Sequence, residues 1–215
     1  DLALVLNPDV RLGAGAVELL VDSMVKHPRA AVASPLVVSD ETGRVEAAWY
    51  EFNFRQLIVA PHGQGDDPDA YTKTREVPAV AGVAWMFRLD AFEDVGDLNE
   101  EFFLYHEDVE WCYRAGAKGY RILLVPQARA YHTGFRSDPK GEMRKAYFIA
   151  RNSVLFAKRW LTGTKRLKFW TFLLASIPVY FLKGAVDERA RWLLKGAADG
   201  IAGRTEIGGT AELGI

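Results

Sequence analysis

With 215 residues, 49% hydrophobic and 26% charged, the chain can build one large domain, or a domain with an extension, around a real core. Cys112 is the only cysteine, which excludes an intrachain disulfide and fits a reducing compartment. The net charge of -1 conceals an asymmetry: residues 1–139 carry 13 Lys/Arg against 22 Asp/Glu, and residues 140–204 carry 14 against 4. An acidic front and a basic back imply two parts with different partners. No secretory signal opens the chain, and DLALVLNPDV begins without Met inside an apolar run, so a fragment lacking its upstream part is expected.

Residues 2–6 read as a buried strand that runs into the turn signal Asn7-Pro8-Asp9. Val17, Leu20, Val21, Met24 and Val25 recur at helical spacing as far as His27-Pro28. Strands are expected over 31–38 and 44–50, joined by the turn Ser39-Asp40-Glu41-Thr42-Gly43. No period survives from 52 to 76, where Pro61, Gly63, Gly65 and Pro68 predict a long surface loop. Residues 77–89 are strand-like with Gly82 inside, a place where a backbone can approach a ligand or another strand. A short helix over 91–95 ends at Gly96 and another over 108–117 closes at Gly119. Strands then follow over 120–125, ending at Pro126, and over 128–132. This alternation predicts an α/β front with a mostly parallel sheet, whose ligands sit at the carboxyl ends of strands. Asp9 and His132 fall at such ends, and Asp108 follows the apolar segment FFLY.

After Gly141 the character changes, so the chain is divided into 1–139 and a basic, amphipathic helical extension over 140–215. Residues 142–161 predict a long helix that mixes Tyr147, Phe148, Val154, Leu155 and Trp160 with five Arg and Lys residues. Residues 169–182 (FWTFLLASIPVYFL) are uncharged and lie between Lys165, Arg166 and Lys168 on one side and Lys183 on the other. The run is shorter than the ~20 residues of a spanning helix, and Pro178 interrupts it. Two readings stand: a segment lying in a membrane interface, or a buried core helix. A last amphipathic helix is expected over 187–201.

Three residues could carry chemistry. Asp9, just past a buried strand, is placed either to reach a divalent cation or to close an Asx turn. Asp108, near the start of a helix, would stay ionised in the positive field of the N-terminus and could serve as a general base, or the run HEDVE is simply an acidic first turn. Arg114 can pair with Glu110 at i, i+4. His132 is a structural hydrogen-bonder or, with Asp9 and a diphosphate, part of a Mg²⁺ or Mn²⁺ site. A zinc site would need more histidines at tight spacing.

The segments LVLNPDV, GVAWMFRLDAFEDVG, EEFFLYHEDVEWCYR and GYRILLVPQARAYHTG occur in this order within residues 1–160. Together they resemble the second half of a family 2 glycosyltransferase of the GT-A fold, closest in flavour to bacterial rhamnosyltransferases of cell-wall and O-antigen synthesis. KGAADGIAGR is similar to the ending of their C-terminal extension. The resemblance implies that Asp9 of the Asn7-Pro8-Asp9 motif binds the metal and that His132 completes the site. It implies that Asp108, after Glu107, is the base that deprotonates the acceptor hydroxyl. It places Gly82, Ala84 and Trp85 at the donor-sugar pocket and Arg136 among the donor- or acceptor-binding residues. Asn99, where relatives carry Asp, and Glu110-Trp111, where Asp-Leu is commoner, are departures that bear on acceptor preference.

The implied activity is metal-dependent, inverting transfer of a sugar from a nucleotide donor such as dTDP-rhamnose to a lipid-linked glycan. The basic segment 165–203 would rest on the cytoplasmic face of a bacterial membrane, and no nucleic acid is among the expected partners. Because the first βαβ units of such enzymes hold the nucleotide, the 215-residue chain alone is expected to be inactive. Two rivals remain: a metal-dependent phosphoester hydrolase using Asp9, Asp108 and His132 as joint ligands, and a non-catalytic membrane scaffold whose acids are helix caps.

Overall fold

The structure is a computed structural model that describes residues 1–54, 58–133 and 139–205. Among these, one compact unit takes residues 1–52, 60–98 and 108–133, and a second takes 53–54, 58–59, 99–107 and 139–205. The division therefore does not fall at one point near residue 139: two short internal segments belong with the C-terminal helices.

The first unit is built on a seven-stranded sheet: β1 (Leu2–Leu6), β2 (Val10–Leu12), β3 (Ala30–Ser39), β4 (Val45–Ala47), β7 (Arg75–Val77), β8 (Ala84–Arg88) and β9 (Arg121–His132). Its path is β1-β8-β3-β9-β2, with β4 on β3 and β7 on β9. Between β4 and β7, β5 (Trp49–Phe52) and β6 (Val59–His62) form a separate pair: β6 lies inside the expected loop, and β5 takes the end of the strand expected over 44–50, which is split between β4 and β5. The sheet is mixed, which corrects the expectation of a mostly parallel one. Among the described residues β3 and β9 are the only parallel neighbours, and the other ladders run antiparallel. Alternating strands and helices announce crossovers but not where each strand lands. Helix α1 (Ala16–Lys26) carries the chain from β2 to β3, which are not neighbours.

Two strand boundaries also differ. The strand expected over 77–89 is split into β7 and β8, with Gly82 between them. The two strands expected over 120–132 are one strand of 12 residues that runs through Pro126. Its register with β3 jumps between Pro35↔Val125 and Leu36↔Arg129, leaving 126–128 bulged out. A proline has no N–H to give a ladder, so it sits at such an irregularity.

Each sheet face is covered by an apolar stripe. Ala16, Leu20 and Met24 repeat every four residues along α1 and pack with Ala33, Met86 and Leu123. Opposite them, α2 (Leu89–Val95) and α3 (Glu107–Ala117) supply Ala91, Val95, Trp111, Cys112 and Ala115 to a core shared with Val32, Trp85 and Leu124. Burial pushes the Cys112 thiol up, so it is an inert packing group. Glu110 is fully buried and pairs with Arg114 at 3.0 Å, as the i, i+4 spacing predicts. Arg114 also donates to the carbonyls of Val95 and Asp97, and the Trp111 indole N–H to that of Gly96. The open carbonyls at the end of α2 are thus satisfied by α3.

The second unit contains α4 (Pro139–Trp160), α5 (Gly163–Gly184) and α6 (Glu188–Ala202). Gly196 and Gly200 let α6 lie against α4: a Cβ would stand 2.2 Å from the Tyr147 carbonyl oxygen at the first and 2.6 Å from that of Arg151 at the second. Tyr147 donates its hydroxyl to Asp199 at 2.9 Å. Buried Arg151 and Asn152 serve the segment 99–107. Arg151 donates to the carbonyls of Glu101 and Phe102, and the Asn152 amide to those of Phe102, Leu104 and Tyr105. These bonds hold a backbone in which Phe103, Tyr105 and His106 all have positive φ, a conformation that side-chain-bearing residues adopt only when their surroundings impose it. Gly196→Val is expected to destabilise the protein by about 1–3 kcal/mol through overpacking, read by urea unfolding; unchanged stability would refute the close approach of α6 to α4.

Candidate active site

Asp9, Glu46 and His132 meet where three strands of the first unit end or turn. His132 is the last residue of β9, paired with Val10 of β2 on one side and Ser39 of β3 on the other. Asp9 stands one residue before β2, and its carbonyl accepts the Thr133 N–H at 3.0 Å. Glu46 comes from β4. His132 Nδ1 lies 2.8 Å from Glu46 Oε2, and its Nε2 lies 3.2 Å from Asp9 Oδ2.

A neutral imidazole has one donor and one acceptor nitrogen. With a cation on Nε2, the ring's one proton would sit on Nδ1 and be donated to Glu46, and the Nε2 lone pair and Asp9 Oδ2, 3.2 Å apart, would both face that cation. One carboxylate oxygen and one imidazole nitrogen suit Mg²⁺ or Mn²⁺, with remaining positions left to water and phosphate oxygens. Among the described residues no group of three His, Cys, Asp or Glu side chains is arranged to hold a metal. The protein therefore offers two converging donors, not a complete cage, and the three-ligand set of the hydrolase rival is not assembled.

Asp108 is the second residue of α3. Its Oδ2 accepts the Gly82 N–H at 2.8 Å and its Oδ1 the Val109 N–H at 2.7 Å. Gly82 leaves room for this: a Cβ there would lie 3.2 Å from the Asp108 Cβ. The close approach at Gly82 is to the Asp108 side chain of α3, neither of the two partners, a ligand or another strand, that the sequence suggests. Burial raises the Asp108 pKa, and the hydrogen bonds from Gly82 and Val109 offset part of that rise. The Tyr50 phenol is pushed up by burial and by the charges of Asp108 and Glu46, so it stays protonated near both.

Asn7 and Gly82 connect the two groups. The Asn7 N–H donates to the Val83 carbonyl at 3.0 Å, and its carbonyl accepts the Val10 N–H at 3.2 Å. The turn bearing Asp9 is therefore anchored beside the residue that follows Gly82. Ala84 is fully buried opposite Leu6, and Trp85 is only 6% exposed. The Trp85 indole donates to the Ala81 carbonyl and its ring packs against Trp111. Both are core residues of β8, on opposite faces of the sheet, each of which is covered. Glu110 and Trp111 are likewise spent on packing. Glu107 is half-buried at the first position of α3. Arg136 lies outside the described residues. His106 is buried with its pKa lowered to about 4 by desolvation, so it is neutral at physiological pH. Glu46 and Tyr50 were missed, because a strand pattern shows which face a side chain takes but not what stands opposite it.

Residues 3–194 match the glycosyl transferase family group 2 description, and the chain belongs to that family. It is similar to N-acetylglucosaminyl-diphospho-decaprenol L-rhamnosyltransferase of Mycobacterium tuberculosis, at 30% identity over 61% of this chain and 47% of that protein. It is also similar to the low-salt glycan biosynthesis hexosyltransferase Agl10 of Haloferax volcanii, at 26% identity over 95% of this chain and 67% of that one. The chain spans about half the length of the first of these relatives. A fainter likeness, TM-score 0.49 at 18% identity over 78% of this chain and 36% of the other, is to GalNAc-T7 crystallised with UDP, GalNAc and Mn²⁺.

A raised carboxyl pKa has a definite sign for stability. The stabilising effect of the protonated form is full below the unfolded value of about 3.9 and is lost as pH rises through the higher folded value. Asp108→Asn does not titrate, so its stability relative to wild type should improve as pH rises from about 3.9 through the higher folded value, as read by thermal melts. A difference that stays flat with pH would show that the Asp108 pKa is not raised.

Proposed function

We propose that this protein is an inverting glycosyltransferase that moves a sugar, rhamnose by resemblance, from a nucleoside diphosphate donor to a lipid-linked glycan. Asp108 carries this function: an acid with a raised pKa, held by two backbone N–H groups beside the Asn7–Asp9 turn, is equipped to take a proton from an acceptor hydroxyl. Family membership supports the reaction class, and the rhamnosyltransferase relative supports the choice of sugar.

The Asp108 carboxylate accepts the proton of an acceptor hydroxyl as that oxygen attacks the anomeric carbon. The bond to the diphosphate breaks on the opposite face, so the configuration inverts without a covalent enzyme intermediate. Asp9 and His132 would hold Mg²⁺ or Mn²⁺, which when bound neutralises charge on the leaving diphosphate. Tyr50 stays protonated and offers a hydroxyl near Asp108. In the complete protein, transfer of label from dTDP-rhamnose to a bacterial lipid extract is expected to depend on Mn²⁺ and to fall at least about 100-fold in Asp108→Asn. The acid limb of kcat/KM should lie above the ordinary carboxylate range. Release of free sugar without any acceptor would favour the hydrolase, and full activity of Asp108→Asn would sink the proposed base.

The second half of α5 supports a site on a membrane surface. Leu174, Val179, Phe181 and Leu182 are exposed, as is Val186 just beyond the helix, and Lys165, Arg166 and Lys168 are exposed near its start. No helix among the described residues is long and apolar enough to cross a membrane. An apolar face with a basic collar suits the interface of an anionic bilayer, here the cytoplasmic leaflet of a bacterial plasma membrane. At about 1 kcal/mol per basic residue, neutralising Lys165, Arg166 and Lys168 to Gln should weaken binding to anionic vesicles on the order of 100-fold. Binding that ignores both this change and Phe181→Ser would refute the surface.

A further inference from the structure

We propose that Glu46 is a positioning residue for His132: it holds the imidazole in its Nδ1–H tautomer and thereby turns the Nε2 lone pair toward Asp9 and a divalent cation bound between them. This deepens the glycosyltransferase reading and rests on it for the cation.

The placement is built by three separate ladders. His132 is locked in β9 by pairing on both sides, and the next residue, Thr133, donates to the Asp9 carbonyl. Strand alternation gives Tyr131 the other face, where Arg11 lies 4.5 Å from its ring centre. In β4, Val45 turns into the core at 2% exposure, and Glu46 takes the opposite face, half-buried. A register shift between Val37 and Val38 of β3 accompanies this short strand. The result is an ordered row, Glu46–His132–Asp9, with contacts of 2.8 and 3.2 Å.

Once Nε2 gives its lone pair to a cation, the ring keeps one proton, on Nδ1. The closer carboxylate takes that N–H, and a carboxylate there both orients the ring and makes its other nitrogen a better donor. The farther one shares the space in front of Nε2. Glu46 acts through the ring, because its near oxygen is bonded to Nδ1, on the side of the ring away from Asp9.

The test uses the complete protein and two variants, with two readouts. The first is the nitrogen-15 spectrum of the His132 imidazole at alkaline pH, assigned by its loss in His132→Gln. The second is the affinity for Mn²⁺ alone, by electron paramagnetic resonance. Glu46→Gln retains an acceptor for Nδ1–H and should keep the tautomer, with Mn²⁺ affinity within a few-fold. Glu46→Ala should lose the Nδ1–H tautomer and weaken Mn²⁺ about 10–100-fold. An unchanged tautomer in Glu46→Ala overturns the proposal. An equal loss of affinity in both variants also overturns it, because the carboxylate would then be acting as a ligand itself. If the wild type binds no Mn²⁺, the metal-dependent part of the proposed function fails, while the spectrum still decides the role of Glu46. Circular dichroism melts of both variants separate these results from unfolding.

Discussion

Two prolines, Pro35 and Pro126, sit at the larger of two register shifts in the parallel ladder between β3 and β9, and much of the first unit follows from how that ladder is built. β9 extends over 12 residues because the jump in register lets the chain pass a residue that cannot donate and resume pairing. Its first half is sandwiched between β3 and β7, and its second half between β3 and β2. His132 therefore stands at the end of a strand bonded on both edges, far more constrained than a residue at a loop tip. The same bulge presents the Arg129 carbonyl to Gly13, fixing the chain as it leaves β2 for α1.

Around that frame the site is a balance between burial and charge. Asp108 is held by two backbone N–H groups, yet desolvation outweighs them. Its ionised form is thus stored at a cost to folding, which is the usual condition of a group kept for proton transfer. Glu110, two residues further along α3, is more deeply buried but answered by Arg114, whose remaining donors cap α2. Two acids on the same helix thus have opposite fates. One is answered by a cation, and the other is held by backbone amides alone.

The second unit is organised by polar groups inside a helical core. Arg151 and Asn152 serve five carbonyl bonds of the segment 99–107, and that segment carries three residues of positive φ. A helix interior rarely spends two buried polar side chains in this way unless the backbone they hold needs a particular path. On α5, by contrast, apolar side chains are left facing out, and the segment read from sequence as either interfacial or core belongs largely to the surface.

The local features were legible in the sequence because they depend on neighbours along the chain. The period of α1, the pairing of Glu110 with Arg114 and the turn at Asn7-Pro8-Asp9 all follow from spacing and residue type. The motifs in order were also enough to reach the family. Strand direction was not legible, since the same alternation of strands and helices fits parallel and antiparallel neighbours. Nor was the partner of a strand side chain: Glu46 lies 86 residues from His132, and only the ladders place them 2.8 Å apart. Trp85 shows the same limit, for only packing sets its ring against Trp111. The sequence by itself determined which chemical groups this protein has and the local backbone that carries them. The tertiary structure alone decided which of them face each other and which are desolvated, because both depend on contacts between segments far apart in the chain.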